Sequence, residues 1–155
     1  MKVTCYFTCL SLIMTIFVRD LSAHKTIRPV LLSAPPVIDG RFDAWAWAGA
    51  DSACSFLQME PRPGEPATEE TSAWVGYDDK NIYAVFKCYQ QTPVIAKNQS
   101  RDALSKNDDE ICLILDTYND NRTGYGFIDN PLGTQIDFKI NNDGNNVDLN
   151  WDAEW

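Results

Sequence analysis

The chain predicts an antiparallel β-sandwich, and three observations point to that fold class. Its apolar runs, TSAWVGY, IYAVFKCY, EICLILD and QIDFKI, are rich in β-branched and aromatic residues and of strand length. Between them lie clusters with turn chemistry: Asp78-Asp79-Lys80-Asn81, Asn119 to Gly124, Asn130-Pro131-Leu132-Gly133, and Asn141 to Asn146 around Asp143-Gly144. Helical spacing of apolar residues is almost absent, and no internal repeat is visible.

Taken in order, Lys2 opens a short basic start, Val3 to Val18 is apolar, and Leu21-Ser22-Ala23 offers a small residue before His24, which reads as a secretory signal peptide over residues 1–23. The apolar run is shorter than the roughly 20 residues a membrane-spanning helix needs. Residues 24–36 form a linker ending at Pro35-Pro36, and the sandwich occupies residues 37–155. At its start Asp39-Gly40 is a turn, and Asp43 stands as N-cap of a short helix carrying Trp45, Trp47 and Ala48. A proline-rich acidic loop, MEPRPGEPATEET, leads into a β-hairpin whose two runs flank Asp78 to Asn81. There Ala73, Val75 and Tyr77 share one face, and Trp74 and Lys87 fall opposite the core. EICLILDTY is apolar on both parities, as in a strand covered on both sides. YGFIDNPLGTQIDFKI reads as a strand broken at Asn130 to Gly133, and VDLNWDAEW closes the chain.

Loss of residues 1–23 takes Lys2, Arg19 and Asp20, leaving 11 basic and 21 acidic residues and a net charge of −10. Phosphate binding needs the opposite sign, so nucleic acid is not expected as a partner. The acidity suits a secreted protein, or one that binds neutral ligands or cations. Cys5 and Cys9 leave with the signal; Cys54, Cys88 and Cys112 remain, with no CxxC spacing. That is no disulfide framework, and Cys88 and Cys112 are expected to act as small hydrophobes in their strands. Ser-His-Asp or Cys-His catalysis requires an internal histidine, yet the only one is His24. The same shortage argues against structural zinc and haem ligation. Acids are plentiful, but no carboxylate pair is marked out for glycosidase chemistry.

In order along the chain, VIDGRFDAWAW, PATEETSAWVGYDDKNIYAVFKCYQ, Arg101-Asp102, DDEICLILDTYNDNRTGYGF, NPLGTQIDFKI and NWDAEW resemble the family 9 carbohydrate-binding modules, chiefly the branch at the N-terminus of large secreted or outer-membrane bacterial proteins. The resemblance implies a jelly-roll β-sandwich, binding of cellulose or xylan chain ends, and in some members calcium. Members continue past the NWDAxW segment with further strands, so it also implies a fragment incomplete at the C-terminus. In sugar-binding members two aromatics clamp a ring while a glutamate and a basic residue hold its hydroxyls. Matched onto this chain, Lys106 stands at the first aromatic position, Cys112 at the glutamate and Lys139 at the basic position.

A sugar ring offers an apolar C–H face and a rim of hydroxyls, so its site wants an exposed flat aromatic among polar groups. The candidate carbohydrate-binding residues are Arg101, Asp102, Asp108, Asp109, Lys139, Trp74 and Trp151, with Trp155 a further platform. Each has a structural alternative: core tryptophans, and a solvated loop with an ion pair. No metal is expected; Asp116, Asp120 and Asn121 are weak calcium candidates that read better as a turn. The expected function is a non-catalytic polysaccharide- or oligosaccharide-binding module, secreted, periplasmic or outer-membrane associated. The alternative is a docking sandwich that has lost its sugar site and packs on a downstream domain of the same protein.

Overall fold

The computed structural model describes residues 2–5, 26–104 and 107–155, and among them all regular structure is β. The all-β class is therefore as the sequence predicts. The strands are β1 (Lys2–Cys5), β2 (Val30–Leu31), β3 (Glu70–Tyr77), β4 (Ile82–Tyr89), β5 (Ile111–Asp116), β6 (Gly124–Asp129), β7 (Gln135–Asn141) and β8 (Asn146–Asp148). They form a three-stranded sheet, β2-β3-β4, and a five-stranded sheet, β1-β5-β6-β7-β8. The chain divides into two compact units, one within Leu12–Gln91 and the other within Thr92–Trp155 plus the first residues.

In the first unit, β3 and β4 pair antiparallel from Glu70↔Tyr89 to Tyr77↔Ile82, and β2 adds in parallel to β3. The Asp78 carboxylate closes the hairpin by accepting the backbone N–H groups of Lys80 and Asn81 at 2.8 and 2.7 Å and the Tyr83 hydroxyl at 2.8 Å. Those donors, the Lys80 N–H foremost, hold Asp78 below the ordinary carboxylate range, and the Asp78 carboxylate, by accepting the phenol's hydrogen bond, raises Tyr83. Ala73 and Val75 are buried, as their parity predicts, but Tyr77 at the strand end is exposed.

Two expectations for this unit are corrected. Trp45, Trp47 and Ala48 lie in successive turns instead of a helix: the bonds Ala46 N–H to Asp43 O, Ala48 N–H to Trp45 O and Ala50 N–H to Trp47 O each span three residues, and Gly49 takes a positive φ. Trp47 is buried and Trp45 exposed. Cys88, expected among apolar neighbours, is exposed on β4, whereas Cys112 is buried.

The second unit is built on a meander. β5 pairs with β6, β6 with β7 and β7 with β8, all antiparallel. The segment Asn130 to Gly133, expected to interrupt one strand, is the turn of the β6–β7 hairpin. The Asn130 side-chain oxygen accepts the N–H groups of Leu132 and Thr134, and Gly133 adopts the positive φ the reversal needs. On one face Cys112, Ile128 and Ile136 form a core with Ile114 and Phe138. Of the expected signal segment only Lys2–Cys5 falls within the described residues, and its backbone pairs antiparallel with Leu113–Asp116 of β5. Among the described residues no helix is long and apolar enough to cross a membrane.

Candidate functional site

Strand alternation puts Tyr125, Phe127 and Asp129 of β6 beside Lys139, Asp137 and Gln135 of β7, on the face opposite the Ile128–Ile136 core. The closing segment Trp151–Trp155 packs on this face. Trp151 lies 4.8 Å from the Tyr125 ring and 6.1 Å from Phe127, and Trp155 meets Phe127 edge-on at 5.2 Å. Tilted and edge-to-face contacts of this kind add roughly 0.5–1.5 kcal/mol per pair to the area buried.

Arg101 ties the same segment down with its charge. One Nη1 hydrogen goes to Gln135 Oε1 at 2.6 Å, while Nη2 donates to Asp152 Oδ1 at 3.0 Å and to the Ala153 carbonyl at 3.1 Å. Nε stands 3.5 Å from Asp102 Oδ2. The Asp152 hydrogen bond, above all, raises the basicity of Arg101 still further. Gln135 in turn donates to the Trp155 carbonyl at 3.1 Å.

Beneath Arg101 sits Asp137, whose side chain is wholly buried. Its Oδ2 accepts the Ala153 N–H at 2.6 Å; Oδ1 has no hydrogen-bond donor, and the Arg101 Nη2 lies 3.8 Å from it. A buried carboxylate persists only with a compensating charge. Asp102, Asp137 and Asp152 bring carboxylate oxygens within 4.8 Å of one another, a spacing a cation would accept. The guanidinium of Arg101 already stands among all three. The single positive charge of Arg101 offsets one of the three carboxylate charges, and the cluster keeps an excess of negative charge.

Arg101 lines two open depressions, each of about 340 Å³. One is lined by Gln99, Leu132, Gly133, Thr134 and Gln135 with Arg101, the other by Asp152, Ala153, Glu154 and Trp155 with Arg101. Trp155 stays 42% exposed, which leaves ring surface free beside the second.

Of the predicted residues, Arg101, Asp102 and Trp151 meet here. Lys139 is on the same face, with its ammonium 5.8 Å from the Tyr125 ring centre. Asp108 and Asp109 serve the neighbouring loop: Asp108 Oδ2 accepts the N–H groups of Lys97 and Asn98 and the Asn130 amide, and Asp109 exchanges backbone and side-chain bonds with Ile95. The same Asn98 also gives its side-chain amide to the Ala103 carbonyl. Trp74 belongs to the other unit, half-buried 4.6 Å from Phe42, with Lys87 near both Phe42 and Tyr89. Lys106 lies outside the described residues, and Cys112 faces the apolar core.

At the far end of β5, Asp116 accepts the N–H groups of Asp120 and Asn121, and Asp120 accepts those of Arg122 and Thr123. These bonds, that from Arg122 first, lower the Asp120 pKa. The three weak calcium candidates are thus joined by the local hydrogen bonds of a turn.

Sequence reasoning passed over Gln135, Asp137 and Asp152. Gln-Ile-Asp-Phe-Lys alternates as a half-solvated strand does, so Asp137 reads as exposed. The available signal was Trp-Asp-Ala-Glu-Trp, an acid set between two aromatics in the closing segment. Comparison of the chain with family models, curated proteins and solved structures returned no match.

Proposed function

We propose that this chain is a non-catalytic carbohydrate-binding module of a secreted protein, taking a neutral polysaccharide or oligosaccharide at the Arg101 face. The observation that carries this reading is the half-exposed Trp155 at the rim of a depression whose other walls are Arg101, Asp152, Ala153 and Glu154. A flat apolar ring beside convergent charged donors and acceptors is the chemistry a pyranose requires. Fixed positions help as well: Gln135, Asp137 and Asp152 hold the guanidinium, so little side-chain entropy remains to be lost on binding. Asp102, Asp137 and Asp152 all face the guanidinium, an arrangement that favours binding over hydrolysis.

Isothermal titration of the full chain with xylohexaose and cellohexaose tests the proposal. Binding of either, weakened about tenfold or more by Trp155→Ala, is expected, equivalent to at least about 1.4 kcal/mol. Absence of binding to both sinks it. One observation favours the docking reading instead: Val37, Ile38 and Trp45 are 69%, 84% and 71% exposed within one short segment. Clustered exposed apolar side chains mark contact surfaces. A partner domain that protects this segment from proteolysis, in a chain that ignores sugars, would select that reading.

A further inference from the structure

We infer that the ligand is a linear oligosaccharide that spans both depressions and crosses Arg101 between them; this rests on the sugar-binding reading above. Arg101 is the one residue that lines both. Gln135 reinforces it as a divider, since its side chain accepts from Arg101 on one side and donates to the Trp155 carbonyl on the other.

Each depression, near 340 Å³, is at the small end of the roughly 300–1,000 Å³ of small-molecule sites, so a ligand confined to one of them is small. Each also has a single large apolar wall: Leu132, 49% exposed, in the first, and Trp155 in the second. The remaining lining is backbone or polar side chain, with Gln99 and Thr134 on one side and Asp152 and Glu154 on the other. An apolar wall with a polar rim, repeated on either side of one divider, matches successive sugar units better than one large ring.

The divider carries a donor to spare. A guanidinium has five N–H groups. Nε faces Asp102, Nη2 serves Asp152 and Ala153, and Nη1 gives one hydrogen to Gln135. The second Nη1 hydrogen has no acceptor among the described residues. It is available to an oxygen of the ligand where the chain passes from one depression to the other. Because Asp102, Asp137 and Asp152 outnumber the one cation, the surroundings carry excess negative charge, and that contact suits a neutral hydroxyl or ring oxygen better than an acidic sugar.

A length series separates this inference from the reading it builds on. The full chain is titrated calorimetrically with xylo- and cello-oligosaccharides from the monosaccharide to the hexasaccharide. Affinity is expected to rise about tenfold between disaccharide and tetrasaccharide and then level off. Leu132→Ala, an exposed turn position, should abolish that rise and so cost tetrasaccharide affinity more than disaccharide affinity, and Trp155→Ala should weaken every length. Equal thermal midpoints for Leu132→Ala and the parent chain confirm that the fold is intact. Binding that does not depend on length, or a Leu132→Ala loss equal at all lengths, overturns the two-depression inference and leaves sugar binding standing. No binding at any length overturns both.

Discussion

The two faces of the β6–β7 hairpin come from the same two strands and differ in nearly every physical respect. One face alternates Gly126, Ile128, Ile136 and Phe138 into an apolar core; the other alternates Tyr125, Phe127, Gln135 and Asp137 under the closing segment. Burial does not separate them, for Asp137 is as inaccessible as Ile136. What separates them is how each satisfies its burial. The core face is closed by shape, with the Phe138 ring seated over Gly126. The other is closed by charge and hydrogen bonds from Arg101 and Ala153. Shape tolerates little change in volume, whereas a polar lid tolerates volume and fails when a donor or acceptor is lost.

The largest expected effect is on the shape-closed face. A β-carbon added at Gly126 would fall 2.0 Å from the Phe138 ring, and ring and strand are both held by neighbours. Gly126→Ala should destabilise the fold by about 3 kcal/mol or more in urea unfolding, at the upper end of overpacking costs. Adding Phe138→Leu should recover part of that loss. A neutral Gly126→Ala would show that the two faces are equally forgiving.

On the charge-closed face, Asp137→Leu keeps the heavy-atom branching with bulkier methyl groups and removes the acceptor of the Ala153 N–H and a partner of Arg101. Loss of a hydrogen bond to a charged group predicts a cost of about 2 kcal/mol. The diagnostic readout is local: tryptophan emission should shift to the red as Trp151 and Trp155 leave the β6 aromatics. Destabilisation with unchanged emission would mean the closing segment is held by its rings alone.

The Asp78 hairpin was legible because its signals are local: Asp78 closes the turn with its own side chain and β-branched runs flank it, whereas Asn130 closes its turn in the same way but stands in a run that reads as one broken strand. The Arg101 cluster was half legible. Its arginine and neighbouring aspartate stand together in sequence, but Gln135, Asp137 and Asp152 reach it across 34, 36 and 51 positions, and no local pattern distinguishes a buried Asp137 from a solvated one. The short helix at Asp43 was misread because a cap and alternating tryptophans do not supply the uninterrupted four-residue bonds that an α-helix needs.

A smaller effect belongs to Asp129, on the charge-closed side of β6, where burial raises the carboxyl above its ordinary value and Oδ1 lacks a hydrogen bond. A carboxyl with a raised folded pKa contributes stability below its unfolded value, and that contribution is lost as pH rises through the folded one. At neutral pH the charged Asp129 is therefore a cost, kept under about 1 kcal/mol because the residue is only half-buried and solvent screens it. Asp129→Asn should raise the thermal midpoint at neutral pH, and the gain should shrink towards about pH 4, where the parent carboxyl becomes protonated. A gain that grows in acid would reverse the assignment.

The smallest expected effect contrasts the two ends of β5. The Asp116–Thr123 end is a self-contained turn: Asp120 accepts from Arg122 and Thr123, and Asp116 accepts from Asp120 and Asn121. Positive φ at Asn119 and Asn121 fits residues that tolerate the left-handed region. At the other end, Asp109 accepts the Ile95 N–H and so helps to hold the loop that leads to Arg101. Asp109→Asn keeps an acceptor and weakens it, and should reduce oligosaccharide affinity several-fold, within the roughly 1 kcal/mol of one hydrogen bond. Asp120→Ala loosens a remote turn and should leave affinity unchanged, with or without calcium, in the same titration. A calcium-dependent affinity that disappears in Asp120→Ala would place the ligand chemistry at the turn and would mean that the polar groups around Arg101 serve only to close that face.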